Sequence, residues 1–115
     1  MSTVSMSLDA IYALAHDTMT ANGCDEANAA ALADIVMRAE RDGSHSHGLF
    51  RVPGYVKALR SGKVDGKAKP TVTKKTSAVV HVDGHGCFAP LAQAVGLPVL
   101  AEAAAEIGVA ALSLT

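Results

Sequence analysis

Apolar residues recur at helical spacing through the first part of the chain. The first set consists of Leu8, Ile11, Ala15 and Met19. Ser7 is a favourable N-cap before this set, and Asn22-Gly23 is a typical helix end after it. A second set with an apolar face consists of Ala30, Ala33, Ile35, Val36 and Ala39. This second helix begins near Asp25 or Glu26 and ends at Gly43, so the pattern predicts an antiparallel helical hairpin.

The pattern changes after residue 51. Residues 52–59 predict a short third helix closed by Ser61-Gly62, and residues 63–70 predict a polar loop. Residues 71–75 and 78–82 are rich in β-branched side chains and predict strands. Pro90 suits the first turn of a long helix that runs to about Ile107, and Pro98 is expected to kink it. Gly108 ends that helix, and residues 109–115 predict a strand of buried type.

These elements predict an α/β fold. A helical hairpin precedes part of a mixed sheet with a long packed helix. We divide the chain into a helical segment at residues 1–62 and a strand-helix-strand segment at residues 63–115. An apolar strand at 109–115 normally pairs in a sheet and leads into a loop. We therefore expect residues 1–115 to be the N-terminal portion of a longer protein, the alternative being a small two-layer domain with an edge strand.

Composition narrows the class of protein. Of the 115 residues 50% are hydrophobic but only 3% aromatic, so the core must use small aliphatic side chains. The net charge of -1 gives no basic face, and we expect no nucleic-acid partner. The basic group Lys67, Lys69, Lys74 and Lys75 is expected to be solvated surface. No run reaches the roughly 18 apolar residues of a membrane span, so no membrane partner is expected.

The two cysteines, Cys24 and Cys87, lack CxxC spacing. They could form a disulfide, but we expect reduced thiols in a cytoplasmic protein. The first residues also lack the charged and apolar pattern of a signal peptide.

Candidate chemistry is concentrated in residues 41–55, which read RDGSHSHGLFRVPGY. His47 can give or take a proton near neutral pH. Arg51 can hold a carboxylate with two parallel hydrogen bonds, and Ser46 can help to orient the imidazole. If the segment is helical, His47 and Arg51 lie on one face. In the alternative interpretation, His47 caps a helix and Arg51 pairs with Asp42.

Two weaker patterns follow the predicted second strand. Gly84-His85-Gly86 precedes a predicted helix, as in dinucleotide-binding loops, but Pro90 removes a backbone donor near the helix start. We interpret it as a tight bend. The remaining histidine pattern combines His45, His47, His81 and His85 with Asp83 and Cys87. Zinc sites usually show tighter paired spacing, so no metal is expected.

Residues 41–55, followed by GKVDG at 62–66, resemble the malate/L-lactate dehydrogenase type 2 family, which is also called sulfolactate dehydrogenase-like. The fuller string RDGSHSHG at 41–48 is similar to the branch that reduces cyclic imino acids, Δ1-piperideine-2-carboxylate and Δ1-pyrroline-2-carboxylate. The resemblance covers nearly the whole chain. It implies an incomplete sulfolactate dehydrogenase-like fold, because members of this family are much longer than 115 residues.

The resemblance also implies a function. The family uses NADPH or NADH to reduce a C=N or C=O bond, and its enzymes are homodimers. By this resemblance His47 is the proton donor and acceptor, Ser46 belongs to its relay, and Arg51 binds the substrate carboxylate. The family's aspartate of the relay and most cofactor contacts would lie beyond Thr115, so the remainder of the enzyme or a second chain would complete the site. Two alternatives are a 2-hydroxy acid dehydrogenase of malate/lactate type and an inactive fragment that serves as an interaction module.

Overall fold

The computed structural model describes residues 2–115, in which four α-helices and a three-stranded sheet are arranged as an α/β fold. The α-helices are α1 (Leu8–Ala21), α2 (Glu26–Arg41), α3 (Val52–Arg60) and α4 (Ala89–Ile107). The strands are β1 (Thr71–Lys74), β2 (Val79–Asp83) and β3 (Ala111–Leu114). The predicted fold class is confirmed, and every predicted element is present within a few residues of its expected bounds.

The helix ends follow from local hydrogen bonding. Ser7 accepts a bond from the amide of Ala10 at the start of α1, as predicted. Asp25 accepts from the amide of Asn28 at the start of α2. Both side chains satisfy amides that have no partner within the first helical turn.

Helices α1 and α2 form the predicted hairpin, and their apolar faces make most of the core. The buried residues of this cluster are Ile11, Ala15, Met19, Cys24, Ala29, Leu32, Ala33, Val36, Val52 and Phe88. The predicted face of α2 is partly wrong, because Ile35 is 40% exposed whereas Leu32 is 1% exposed. Leu32 and Val36 are four residues apart and share the stripe that faces α1, whereas Ile35 lies beside it.

The sheet is mixed, as predicted. Strand β1 pairs antiparallel with β2, with Val72 opposite Val82. Strand β3 pairs parallel with β2 after the crossover through α4, with Val80 opposite Leu112. Helix α4 covers one face of the sheet. A side chain at Gly96 would meet Val82 and Leu112, so this glycine permits the close approach of helix and sheet.

The final strand differs from the sequence expectation, and the expected kink at Pro98 is not tested. The final strand is not of buried type: it spans only Ala111–Leu114 and is largely exposed. It lies at the edge of the sheet, and within residues 2–115 only β2 pairs with it, so just one face and one edge are covered. Pro98 lies inside α4, and the kink expected there stays a prediction.

Candidate active site

The loop that carries His47 begins at the carboxyl end of α2. The amide of Gly43 donates to the carbonyl of Glu40, and the amide of Ser44 donates to that of Ala39. Gly43 has a φ of 77°. This combination is a Schellman motif, which ends a helix and turns the chain sharply. The chain therefore leaves α2 at a fixed angle and brings residues 45–51 back alongside its last turn.

Residues 45–51 form two short 3-10 helices rather than one α-helix. His45–His47 is the first and Leu49–Arg51 the second, and Gly48 separates them. The condition under which His47 and Arg51 would share a helix face is thus not met. Helix α3 then begins at Val52 with Pro53 in its first turn, where a missing amide costs nothing.

Ser46 connects the two candidate chemical groups. Its hydroxyl lies 3.0 Å from Nδ1 of His47. Its backbone carbonyl accepts a hydrogen bond of 2.9 Å from Nε of Arg51. All three side chains lie at the surface. An imidazole and a guanidinium are therefore held in one loop, joined by a single residue.

The outer nitrogen atoms of His47 and Arg51 are not used in this arrangement. Within the described residues, Nε2 of His47 and the two terminal nitrogens of Arg51 make no hydrogen bond. If the Ser46 hydroxyl donates to Nδ1, the neutral His47 ring carries its proton on Nε2. The guanidinium keeps the planar pair of nitrogens with which arginine binds a carboxylate. Asp42 does not compete for Arg51, because it is bound by Arg41 at 2.7 Å and 3.1 Å.

Glu40 and Phe50 are site residues that the sequence interpretation missed. Phe50 is 77% exposed and lines a shallow hollow with His45 and Ser46. The exposure of Phe50 could not be predicted from the sequence, because it depends on the geometry of the loop. Glu40 accepts a hydrogen bond from the amide of Leu49, across the loop from its own helix.

The start of α3, directly after the loop, packs against a residue from the second half of the chain. The rings of Tyr55 and Phe88 meet edge to face, with centroids 5.5 Å apart. Val52 is buried in the same cluster. The start of α3, and with it the loop, is thereby anchored against the residue that precedes α4.

The glycine pattern at residues 84–86 is a tight bend, as interpreted. His85 and Gly86 both have positive φ, and the amide of Cys87 donates to the carbonyl of Gly84. The amide of Gly84 donates to Thr115, and that of His85 to the Asp83 carboxylate. The amides of Gly84, His85 and Cys87 are therefore bonded within the chain and are not available to a phosphate.

Other predicted features have simple placements. Cys24 is buried and Cys87 half-buried, both as free thiols, and burial raises the pKa of each. Lys67, Lys69, Lys74 and Lys75 are exposed, as expected. Within residues 2–115, the histidine, cysteine and acidic side chains form no cluster of three or more that could hold a metal ion. Of the helices in the same range, none has both the length and the apolar character needed to cross a membrane.

The sequence matches the malate/L-lactate dehydrogenase family over residues 6–115, and the chain belongs to this family. It is 47% identical over 111 residues to the Δ1-pyrroline-2-carboxylate reductase of Ancylobacter novellus. The matched region covers 96% of this chain and 33% of that protein. It is 46% identical over 93 residues to the Δ1-pyrroline-2-carboxylate/Δ1-piperideine-2-carboxylate reductase of Pseudomonas putida, covering 81% of this chain and 27% of that protein.

Solved structures agree with this assignment. The crystal structure of Δ1-piperideine-2-carboxylate reductase from Pseudomonas syringae pv. tomato matches with a TM-score of 0.93 and 40% identity, covering 97% of this chain and 34% of that one. Sulfolactate dehydrogenase from Methanocaldococcus jannaschii shares the fold, with a TM-score of 0.84 and 24% identity over 94% of this chain and 32% of its own.

The resemblance inferred from residues 41–55 is thus confirmed, including the similarity to cyclic imino acid reductases. The chain spans about a third of the length of the curated relatives it matches.

Proposed function

We propose that the chain is the N-terminal part of an NAD(P)H-dependent oxidoreductase that reduces a cyclic 2-imino acid, Δ1-pyrroline-2-carboxylate or Δ1-piperideine-2-carboxylate. The observation that carries this proposal is the linked arrangement of Ser46, His47 and Arg51 in one loop. The similarity to reductases of these two compounds supports the choice of substrate.

His47 is the proton donor in this proposal. Reduction of a C=N bond adds a hydride to the carbon and a proton to the nitrogen, which becomes a secondary amine. Nε2 of His47 faces away from Ser46 and is free of partners among the described residues, so it can supply that proton. Ser46 holds the ring through Nδ1 and accepts a bond from the imidazolium when His47 is protonated.

Arg51 binds the substrate carboxylate in this proposal. Its Nε is occupied by the Ser46 carbonyl, which orients the plane of the guanidinium. The two terminal nitrogens then face outward as a fork for two carboxylate oxygens. A carboxylate held next to the imidazole places the neighbouring imine nitrogen within reach of His47.

The remaining machinery belongs to the part of the enzyme outside residues 1–115. The reduction needs a hydride from NADPH or NADH, and the amides of Gly84, His85 and Cys87 are bonded within the chain instead of being free for the phosphates of that cofactor. We propose that the longer protein acts as a homodimer in the cytoplasm, with residues 1–62 and 63–115 as the helical and strand-helix-strand segments of its N-terminal portion.

The first experiment is to measure the intact mass and subunit composition of the purified native protein. A longer polypeptide, or a second chain of about twice this size, is expected. The complete protein is then assayed with both imino acids and with NADPH or NADH, beside malate and lactate with the oxidised cofactors.

Faster turnover of the imino acids supports the proposal, and faster turnover of malate or lactate replaces it with a 2-hydroxy acid dehydrogenase. A lone 11.7 kDa chain without any activity would make the chain an interaction module instead.

A further inference from the structure

Glu40 binds the loop of residues 45–49 at two points. Oε1 accepts a hydrogen bond of 2.9 Å from the amide of Leu49, at the start of the second 3-10 helix. Oε2 lies 2.7 Å from Nδ1 of His45, at the start of the first. The Glu40 side chain is only 17% exposed although it carries a carboxylate. One carboxylate thus holds both ends of the segment that contains Ser46 and His47.

Gly48 explains how the carboxylate reaches this position. A Cβ at residue 48 would overlap the carboxyl group of Glu40. The φ of Gly48 is -93°, so its backbone is not left-handed, and the absence of a side chain serves to leave room for the Glu40 carboxyl group. Gly48 lies between the two 3-10 helices, where the loop passes over the end of α2. The missing side chain lets the carboxylate fill the space under the loop.

The charge of this group fits the role. The hydrogen bond to His45 holds the pKa of the Glu40 carboxyl below its usual range, and the bond from the Leu49 amide lowers it further. The carboxylate is therefore ionised at neutral pH and acts only as an acceptor toward both groups. Asp42, the next acidic residue along the chain, is bound to Arg41 and takes no part in the loop.

We propose that Glu40 is the positioning residue of the active-site loop, which fixes the place of the Ser46–His47 pair by binding Leu49 and His45. Its effect on catalysis rests on the proposed function. Its effect on the loop does not, because it follows from contacts within the chain. Glu40 itself does not touch the substrate in this proposal and acts through His47.

The loop is tested by nitrogen NMR of the His47 imidazole in the 115-residue chain. The ¹⁵N shifts report which ring nitrogen carries the proton. In the wild-type chain we expect a tautomer ratio that differs from that of free histidine, because the Ser46 hydroxyl bonds Nδ1. Glu40→Ala should shift His47 toward the tautomer mixture of free histidine, and Gly48→Ala should do the same because it displaces the carboxylate. Glu40→Gln keeps an acceptor for Leu49 and should restore the wild-type signals.

Asp34→Asn is the matched control, since Asp34 is an acid on the same helix that pairs with Arg38 at 2.8 Å. It should leave the His47 signals unchanged. Circular dichroism shows whether each variant is folded. If Glu40→Ala does not fold, Gly48→Ala and Glu40→Gln decide the matter. Wild-type His47 signals in folded Glu40→Ala, or in folded Gly48→Ala, would overturn the proposal.

The catalytic effect is measured in the complete enzyme. Glu40→Ala should lower kcat by about tenfold to a hundredfold with a smaller change in KM, because the proton donor is misplaced while Arg51 remains. Glu40→Gln should recover most of kcat. Equal losses in the two variants with undisturbed His47 signals would mean that Glu40 acts by its charge and does not position the loop. If the wild-type enzyme reduces neither imino acid, the proposed function fails, and the NMR result still decides the role of Glu40.

Discussion

Arg51 and Ser46 are joined by a hydrogen bond of 2.9 Å from the guanidinium Nε to the backbone carbonyl. Because the hydroxyl of the same serine lies 3.0 Å from the imidazole of His47, the cation and the proton carrier are fixed relative to each other. The bonds of this relationship join only residues 46, 47 and 51. The loop therefore presents an acid-base group and a carboxylate-binding group as one unit, which can be tested by changing its members separately.

Replacing His47 should affect turnover far more than cofactor binding. In the complete enzyme, His47→Ala removes the proton donor, and we expect kcat to fall by roughly a hundredfold to ten-thousandfold. The dissociation constant of NADPH should change little, since we assign that cofactor to other parts of the enzyme. Both are measured by steady-state kinetics and by fluorescence titration.

His85→Ala is the control for this change. His85 is another exposed histidine, and its imidazole bonds to Thr71 rather than to the loop. It should keep wild-type kcat. Equal turnover of the His47→Ala enzyme and the wild type would remove His47 from the acid-base role.

Replacing Arg51 with lysine should weaken substrate binding. Lysine keeps the charge but loses the planar fork and the bond from Nε to Ser46. We expect the KM of the imino acid to rise by about tenfold, which corresponds to about 1.4 kcal/mol. Arg60→Lys serves as the control, because Arg60 binds Asn22 at the far end of α3. An unchanged KM in Arg51→Lys would show that Arg51 does not bind the carboxylate.

The sequence predicts the helical hairpin, the order of helices and strands along the chain, and the loop after α2. Each of these depends on signals from neighbouring residues. Ser7 caps a helix wherever it precedes a suitable run, and Gly43 ends one by its backbone freedom. The pair formed by Ser46 and His47 involves adjacent residues, so it too could be anticipated. The assignment of Ile35 to the buried face failed because a single helix contains several possible stripes, and only the packing partner selects one.

Contacts between distant or non-helical positions could not be predicted in this way. Glu40 reaches Leu49 nine residues away only because the Schellman turn folds the chain back. Asn28 is fully buried and donates to the carbonyl of Ala68, which fastens the loop before β1 to the start of α2. Neither contact is marked in the sequence by a periodic pattern or by a motif. The exposure of β3 likewise depends on what covers the sheet edge, which no pattern within the strand specifies.

Stability should distinguish the observed stripe of α2 from the predicted one. Leu32→Ala creates a cavity in the core and should lower the free energy of unfolding by about 2–5 kcal/mol. Ile35→Ala removes a similar number of methyl groups from a half-exposed site and should cost about 1 kcal/mol. Urea unfolding followed by circular dichroism measures both. A larger loss for Ile35→Ala would mean that the helix packs with the other face.

The 115-residue chain alone should not bind NADPH with saturation. Three of the four amides of the 84–87 turn, those of Gly84, His85 and Cys87, are bonded within the chain and are not available to a phosphate. Titration calorimetry with NADPH measures this, and the complete enzyme is the positive control. A saturable signal from the isolated chain would place a cofactor site within residues 1–115, and Gly86→Ala, which strains a residue with a φ of 88°, would then test whether that site is the turn.

The hairpin should become less stable as the pH rises above neutrality, through His16. Its imidazole is bonded to Asp17 at 3.1 Å and to Glu26 at 2.7 Å, and these acids raise its pKa above the ordinary value of 6.5. A raised pKa in the folded chain stabilises it fully below about pH 6.5, and this contribution is lost as the pH rises through the folded value. His16→Gln removes the charge and keeps a polar side chain. The wild type should therefore exceed His16→Gln in free energy of unfolding by more at pH 6 than at pH 8.5, and the difference should shrink in high salt because the acids are exposed. The same difference at both pH values would show that the imidazolium contributes nothing to the stability of the hairpin.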